Sequence, residues 1–167
     1  SDLVTDSMSS LGIEADELQG YLDKVAKTAA SSNTNIDALM EAFVGSGGTI
    51  NNMNIPLSEA SAILGVMANR GTKASEASHA FNSVLINLTT GAGQAGEAMK
   101  KLGLSAFDSN KKFKGYANVL KELNEKIKDM DDESKSYYLG AIGGKVRISD
   151  LQKMLDGVSK EYDELHD

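Results

Sequence analysis

Calcium binding is the chemistry that Asp108-Ser109-Asn110 would perform, because carboxylate and amide oxygens at alternate positions open an EF-hand loop. Such a loop also needs glycine at its sixth position and a bidentate glutamate at its twelfth. Phe113 and Val119 occupy those two positions here. Aspartate, serine and asparagine are equally typical of turns, since their side chains bond to nearby backbone. The segment is therefore predicted to be a turn.

Gly143-Gly144-Lys145 is a candidate phosphate-binding segment. A phosphate-binding loop has a glycine five residues before the glycine of its Gly-Lys pair, and serine or threonine after the lysine. Leu139 and Val146 stand at those places, and no predicted strand precedes the segment. We interpret it instead as a break between two helices.

Catalysis and metal binding have few candidate side chains in this sequence. There are two histidines, His79 and His166, and no cysteine. Neither histidine has a carboxylate or nucleophile at a spacing that indicates a triad or a metal site. Asp131 and Asp132 are interpreted as favourable charges at a helix start. We predict that the chain is not an enzyme, with no catalytic residue, no metal and no cofactor.

The charge balance argues against contact with nucleic acid. The chain has 17 Lys and Arg against 24 Asp and Glu, a formal net charge of -7. A nucleic-acid interface is normally basic, because affinity comes largely from neutralising phosphates. No apolar run approaches the roughly 18 residues that cross a bilayer. We therefore predict neither direct nucleic-acid binding nor a membrane span in this segment.

The elements that would carry these residues are predicted to be helices, because apolar residues recur at helical spacing along most of the chain. The expected fold is an all-α, multi-helix bundle of about seven short helices. The main apolar stripes lie within 18–29, 36–44, 57–67, 74–88, 116–130 and 151–165. Gly45, Gly47 and Gly48 are predicted to break or kink the second helix. Pro56 is predicted to begin the third.

Residues 105–114 are the one candidate for β structure. Phe107 and Phe113 flank a polar turn there, which is the pattern of a small β-hairpin. We therefore expect an N-terminal helical part over 1–103, followed by a hairpin and C-terminal helices over 104–167. One continuous domain over both ranges remains open.

The last stripe has the spacing of a coiled-coil seam, with steps of four and three residues. Its members are the candidate interaction residues Leu151, Leu155, Val158, Tyr162 and Leu165. We expect concentration-dependent self-association through them. Because the stripe reaches the last residues and the chain does not begin with Met, we also expect a fragment of a longer protein.

Four blocks in 33–154 carry a resemblance when taken in order. The first contains Leu57–Glu59–Ala60 and then Ala68–Gly71, and the second is Lys73–Ala77 before a leucine-rich helix. The third is AMKKLGLSAFDSNKKFKGYANVLKELNEKI, and the fourth is YLGAIGGKVRISDLQKML. Together they resemble the core region of the bacteriophage tail tape measure family, also called minor tail proteins. Lys111 and Ser78 stand where that family often has glycine.

The resemblance implies a structural segment of a phage or prophage tail tape measure protein. Such a segment would take part in tail assembly and tail-length determination through helix–helix contacts. It would lie in the virion tail after assembly in the bacterial host cytoplasm, with tail tube and tail assembly chaperone proteins as partners. The frequent predicted turns indicate a folded bundle rather than one long rod. The alternative is a cytoplasmic helical adaptor or interaction module with no phage role.

Overall fold

Ten α-helices make up the fold of residues 2–167, the part of the chain that the computed structural model describes. They are α1 (Leu3–Leu11), α2 (Leu18–Ser31), α3 (Ile36–Asn52), α4 (Leu57–Asn69), α5 (Ala74–Thr89), α6 (Gly93–Leu102), α7 (Tyr116–Ile127), α8 (Asp132–Gly143), α9 (Ile148–Val158) and α10 (Tyr162–His166). Short 3-10 turns precede α2 and α9. No strand occurs within these residues, so the all-α prediction is confirmed. The expected number of helices was too low, partly because α1 was missed.

Side-chain caps determine where several helices begin. A carboxylate oxygen of Asp2 accepts a hydrogen bond from the Thr5 amide at 2.7 Å, at the start of α1. The Asn35 side chain does the same for α3, at 2.8 Å from the Ala38 amide. These contacts satisfy amides that have no partner inside the helix. The first residues of both helices are therefore set by local sequence.

The helix α4 lies at the centre of the molecule. All eight residues from Ala60 to Met67 are buried, and α4 contacts α2, α3, α5, α7, α9 and α10. Most of its side chains are small or aliphatic, so every face of the helix can be covered. One hydrophobic core joins residues of 1–103 to residues of 104–167. Whether the two ranges fold as separate units stays a prediction.

The glycines of α3 do not interrupt it, so the expected break is wrong, whereas a kink stays a prediction. The helix is continuous from Ile36 to Asn52. A Cβ on Gly47 would lie 2.7 Å from the Ser10 carbonyl carbon in α1, too close for a real contact. A Cβ on Gly45 would similarly crowd Ser78 of α5. Close packing of three helices thus offsets the roughly 1 kcal/mol propensity cost at Gly45 and at Gly47.

Residues 104–115 form a turn with one isolated antiparallel bridge, between Phe107 and Phe113. Asp108 Oδ1 accepts hydrogen bonds from the amides of Asn110 and Lys112, at 2.8 and 3.1 Å. The expected turn is confirmed, but the expected hairpin is limited to this single bridge. The pair is too short for independent strands, which require more extensive pairing.

Candidate interaction surfaces

The five residues of the predicted seam all lie inside the molecule. Leu151 and Leu155 of α9 are fully buried, and Val158, Tyr162 and Leu165 are at most 5% exposed. The stripe is divided between α9 and α10, which pack on α4 and on other helices of the same chain. Self-association through these residues stays a prediction, and it would require α9 and α10 to leave the core.

Polar contacts hold α10 and the turn before it in place. The Arg70 guanidinium, at the end of α4, donates to a Glu161 carboxylate oxygen at 2.8 Å. Partial burial opposes ionisation of Glu161, but the hydrogen bonds from Arg70 and the backbone outweigh it and lower its pKa. At the other end, Lys24 Nζ of α2 lies 3.2 Å from the His166 carbonyl oxygen. The cation therefore sits where the helix dipole is negative.

The close approach of α9 to α4 depends on a glycine. A Cβ on Gly157 would overlap Cγ1 of Val66. Glycine inside a helix is normally destabilising, and the local sequence does not reveal its role here, because Val66 is 91 positions away along the chain. Gly157 is therefore a packing residue of the α4–α9 contact.

The segments with candidate chemistry have structural roles in the fold. The helix α8 ends at Gly143, and Gly144 continues with φ of 83°, so the predicted helix break at Gly143-Gly144-Lys145 is confirmed. His79 is exposed, whereas the His166 ring stacks on Tyr162 at 5.6 Å. Within residues 2–167, no group of three His, Cys, Asp or Glu side chains could hold a metal ion. No helix in this range has the length and hydrophobicity of a membrane span.

Glu59 joins two distant blocks of the sequence. Its carboxylate oxygen accepts hydrogen bonds from the amides of Tyr116 and Ala117, at 2.8 and 3.2 Å. The N-cap of α7 is Gly115, at φ of 100°, which has no side chain to do this. Glu59 therefore caps α7 from α4. The sequence indicated an acidic residue of interest at this place, but it did not indicate the amides that it binds.

Asn69 makes a second long-range contact of this kind. Its Oδ1 accepts a hydrogen bond of 2.6 Å from the amide of Asn33, in the connection between α2 and α3. Gly71 follows with φ of 86°, a left-handed conformation that ends the helix. The phrase Ala68–Gly71 thus terminates α4 and holds the neighbouring loop.

An apolar groove opens between α1 and the start of α2. Its floor consists of Val4, Met8, Ile13 and Leu18, and its volume is about 560 Å³. Leu18 is 39% exposed, which is unusual for leucine in this protein. The groove was not predicted, because the apolar residues of α1 are too few to form a clear stripe. We call it the α1–α2 groove.

A basic segment lies elsewhere on the surface, at residues 100–114. It contains five lysines and one aspartate. Lys111 and Lys112 are exposed, and the rings of Phe107 and Phe113 beside them are half-buried with centroids 6.1 Å apart. Lys114 pairs with Glu122 at 3.2 Å, and Lys101 Nζ lies 3.1 Å from the Tyr137 hydroxyl. We call residues 100–114 the basic turn.

Comparisons with known proteins found similarity to phage tail proteins. A sequence model of the family described as phage-related minor tail protein matches residues 1–144. Over 165 residues, 99% of its length, the chain is 23% identical to a tape measure protein of Pneumococcus phage Dp-1. The chain spans 14% of the length of that relative. No solved structure matches it.

Proposed function

The chain belongs to the phage-related minor tail protein family, and from this premise we propose that it is a structural segment of a tail tape measure protein. The segment takes part in tail assembly and tail-length determination through helix–helix contacts. It acts in the virion tail, after assembly in the bacterial host cytoplasm. The observation that carries this proposal is the family match over residues 1–144, to which the likeness to a named tape measure protein adds support.

The roles of the resembling blocks support a function in contact rather than in chemistry. Glu59 and Asn69, which belong to those blocks, hold a helix and a loop of the same chain. The Gly143-Gly144-Lys145 block ends a helix. A tail family points to a structural rather than an enzymatic protein, and it favours the phage role over a helical adaptor without one.

We further propose tail tube proteins and tail assembly chaperones as partners. Exposed apolar side chains outside the α1–α2 groove and the basic turn, such as Ile86 at 57% and Val146 at 84% exposure, offer apolar area to them. Contacts through Leu151, Leu155, Val158, Tyr162 and Leu165 are a separate possibility that requires the C-terminal helices to undock. Binding of tube protein to variants in each surface would separate the two modes.

The contribution to tail length depends on whether the bundle stays folded. A single helix of 167 residues would measure about 250 Å, at roughly 1.5 Å per residue. A compact domain of this size is roughly 40 Å across, from the usual scaling of radius of gyration. Because the fold has a continuous core, we propose that the segment contributes as a folded module.

An in-frame deletion of this segment from the parent phage gene tests the proposal. We expect tails that are shorter by roughly the width of a compact domain, or a loss of tails if assembly fails, scored by electron microscopy. The matched control is His79→Ala, which changes an exposed side chain and keeps the length. Deletion phages with tails of normal number and length would contradict the proposed function.

A further inference from the structure

The α1–α2 groove has the features of a docking surface rather than of an incidental depression. Four apolar side chains line it, and two of them, Leu18 and Ile13, keep substantial exposure. Covering such area would release water from apolar surface, at about 25 cal/mol per Å². The groove lies on α1, whose main contact is with α3, so its outer side has no covering helix among residues 2–167.

The rim of the groove is acidic. Residues 2–23 contain six Asp and Glu and no Lys or Arg. Glu14 lines the groove directly, and Asp16 and Glu17 follow in the next turn of chain. The salt bridges found among residues 2–167 include none with these three carboxylates. An occupant with apolar side chains and positive charge would complement both the floor and the rim.

The basic turn has this chemistry. It contains five lysines and two half-buried phenylalanine rings, and Lys111 and Lys112 are exposed. The tip is preformed, because Asp108 accepts hydrogen bonds from the amides of Asn110 and Lys112. A preformed tip loses little conformational entropy on binding. The two surfaces therefore match in charge and in apolar content.

We propose that the α1–α2 groove of one copy binds the basic turn of a second copy of this chain, head to tail. Within one copy, Lys114 pairs with Glu122 and Lys101 contacts Tyr137, and no salt bridge of residues 2–167 joins Glu14, Asp16 or Glu17 to the basic turn. The two partners use different surfaces, so the contact is heterologous and each added copy presents a new groove and a new turn. This arrangement differs from a symmetric pairing of the 151–165 stripe.

A charge-swap experiment on the purified segment tests this contact. One double variant is Lys111→Glu with Lys112→Glu, and the other is Glu14→Lys with Asp16→Lys. Each variant alone places like charges across the contact, whereas a mixture of the two restores opposite charges at both surfaces. We expect sedimentation velocity at about 50 mM salt to show association of the wild type, which higher salt weakens because it screens exposed charges. Each variant alone should associate at least about tenfold more weakly, because like charges then face each other across the contact. A tenfold change corresponds to about 1.4 kcal/mol of binding free energy.

Matched controls separate this contact from general charge effects. Lys126→Glu with Lys160→Glu makes the same charge change at exposed lysines outside the basic turn and should associate like the wild type. Because Glu14 also caps a 3-10 turn, Leu18→Ala is a second variant that probes the floor of the groove. It should weaken association while leaving the melting temperature unchanged.

Each outcome of the charge-swap experiment either supports the head-to-tail contact or overturns it. Recovery of association on mixing the two double variants supports the proposal. A wild type that is monomeric at all concentrations, or double variants that associate as the wild type does, would overturn it. None of these results bears on tail length, so this inference and the proposed function fail independently.

Discussion

Glu59 is a single side chain on which the position of a distant helix depends. It caps α7 in place of Gly115, which has no side chain to offer. The resembling blocks had pointed to this residue, but a cap supplied by another helix has no local sequence signature. Local caps such as those of Asp2 and Asn35 can in principle be predicted from the sequence, because donor and acceptor are three residues apart.

We predict that Glu59→Ala lowers the free energy of unfolding by about 1–2 kcal/mol, the usual cost of losing an N-cap. Glu59→Gln should cost less, because an amide oxygen can still accept from the Tyr116 amide. Urea unfolding followed by circular dichroism measures both. Glu122→Ala, which removes an exposed carboxylate from α7 itself, is the control. Equal stability of all three variants would show that the cap is not a stabilising contact.

Tyr116 is a second single side chain with a large effect, because it makes the stability of the fold depend on pH. Its hydroxyl donates to the Phe81 carbonyl oxygen at 2.8 Å inside the core. Burial raises the pKa of this phenol well above its ordinary value of 10. The folded state therefore holds the proton more tightly than the unfolded state, and the stability from this group is complete below pH 10 and falls as the pH rises beyond it.

We expect the free energy of unfolding to fall above pH 10 by up to about 1.4 kcal/mol per pH unit for each such tyrosine. Tyr21 and Tyr162 also have raised pKa values, so Tyr116→Phe should reduce the slope without abolishing it. Urea titrations between pH 7 and 11 measure this. A slope that is the same in the wild type and in the variant would exclude Tyr116 as a contributor.

At the scale of elements, apolar periodicity located most helices but not their interruptions. It placed the stripes that became α2, α3, α4, α5 and α7. It misassigned the glycines of α3, because periodicity cannot distinguish a glycine that breaks a helix from one that lets a neighbouring helix pack closely. It joined α9 and α10, since the stripe continues across the turn between Val158 and Tyr162. The groove was missed with α1, because its floor combines two elements.

Two adjacent glycines of α3 provide a direct test of this distinction. Gly47→Ala should destabilise the fold by about 1–3 kcal/mol, because the new methyl group meets the backbone of Ser10. Gly48→Ala should stabilise it by about 0.5–1 kcal/mol, because that position is open and alanine favours helix. Thermal melts of the two variants should shift in opposite directions. Shifts of the same sign would mean that α1 does not approach α3 this closely.

At the scale of the whole molecule, charge is distributed unevenly. Residues 1–99 contain four Lys and Arg against eleven Asp and Glu, whereas residues 100–167 contain thirteen of each. The formal charge of -7 thus comes from residues 1–99. The net charge of the whole chain, which argued against nucleic-acid binding, conceals the basic turn. This polarity is what a repeated head-to-tail contact requires, and the charge-swap variants test it directly.

The enclosure of α4 also bears on how such chains can diverge. Because Ala60 to Met67 are covered on all sides by six other helices, added volume at one of these positions must be accommodated by several neighbours together. Substitutions there are therefore coupled, as at Val66 and Gly157, where a larger residue on one helix demands a smaller one on the other. Homologues are expected to change around α4 mainly in compensating pairs.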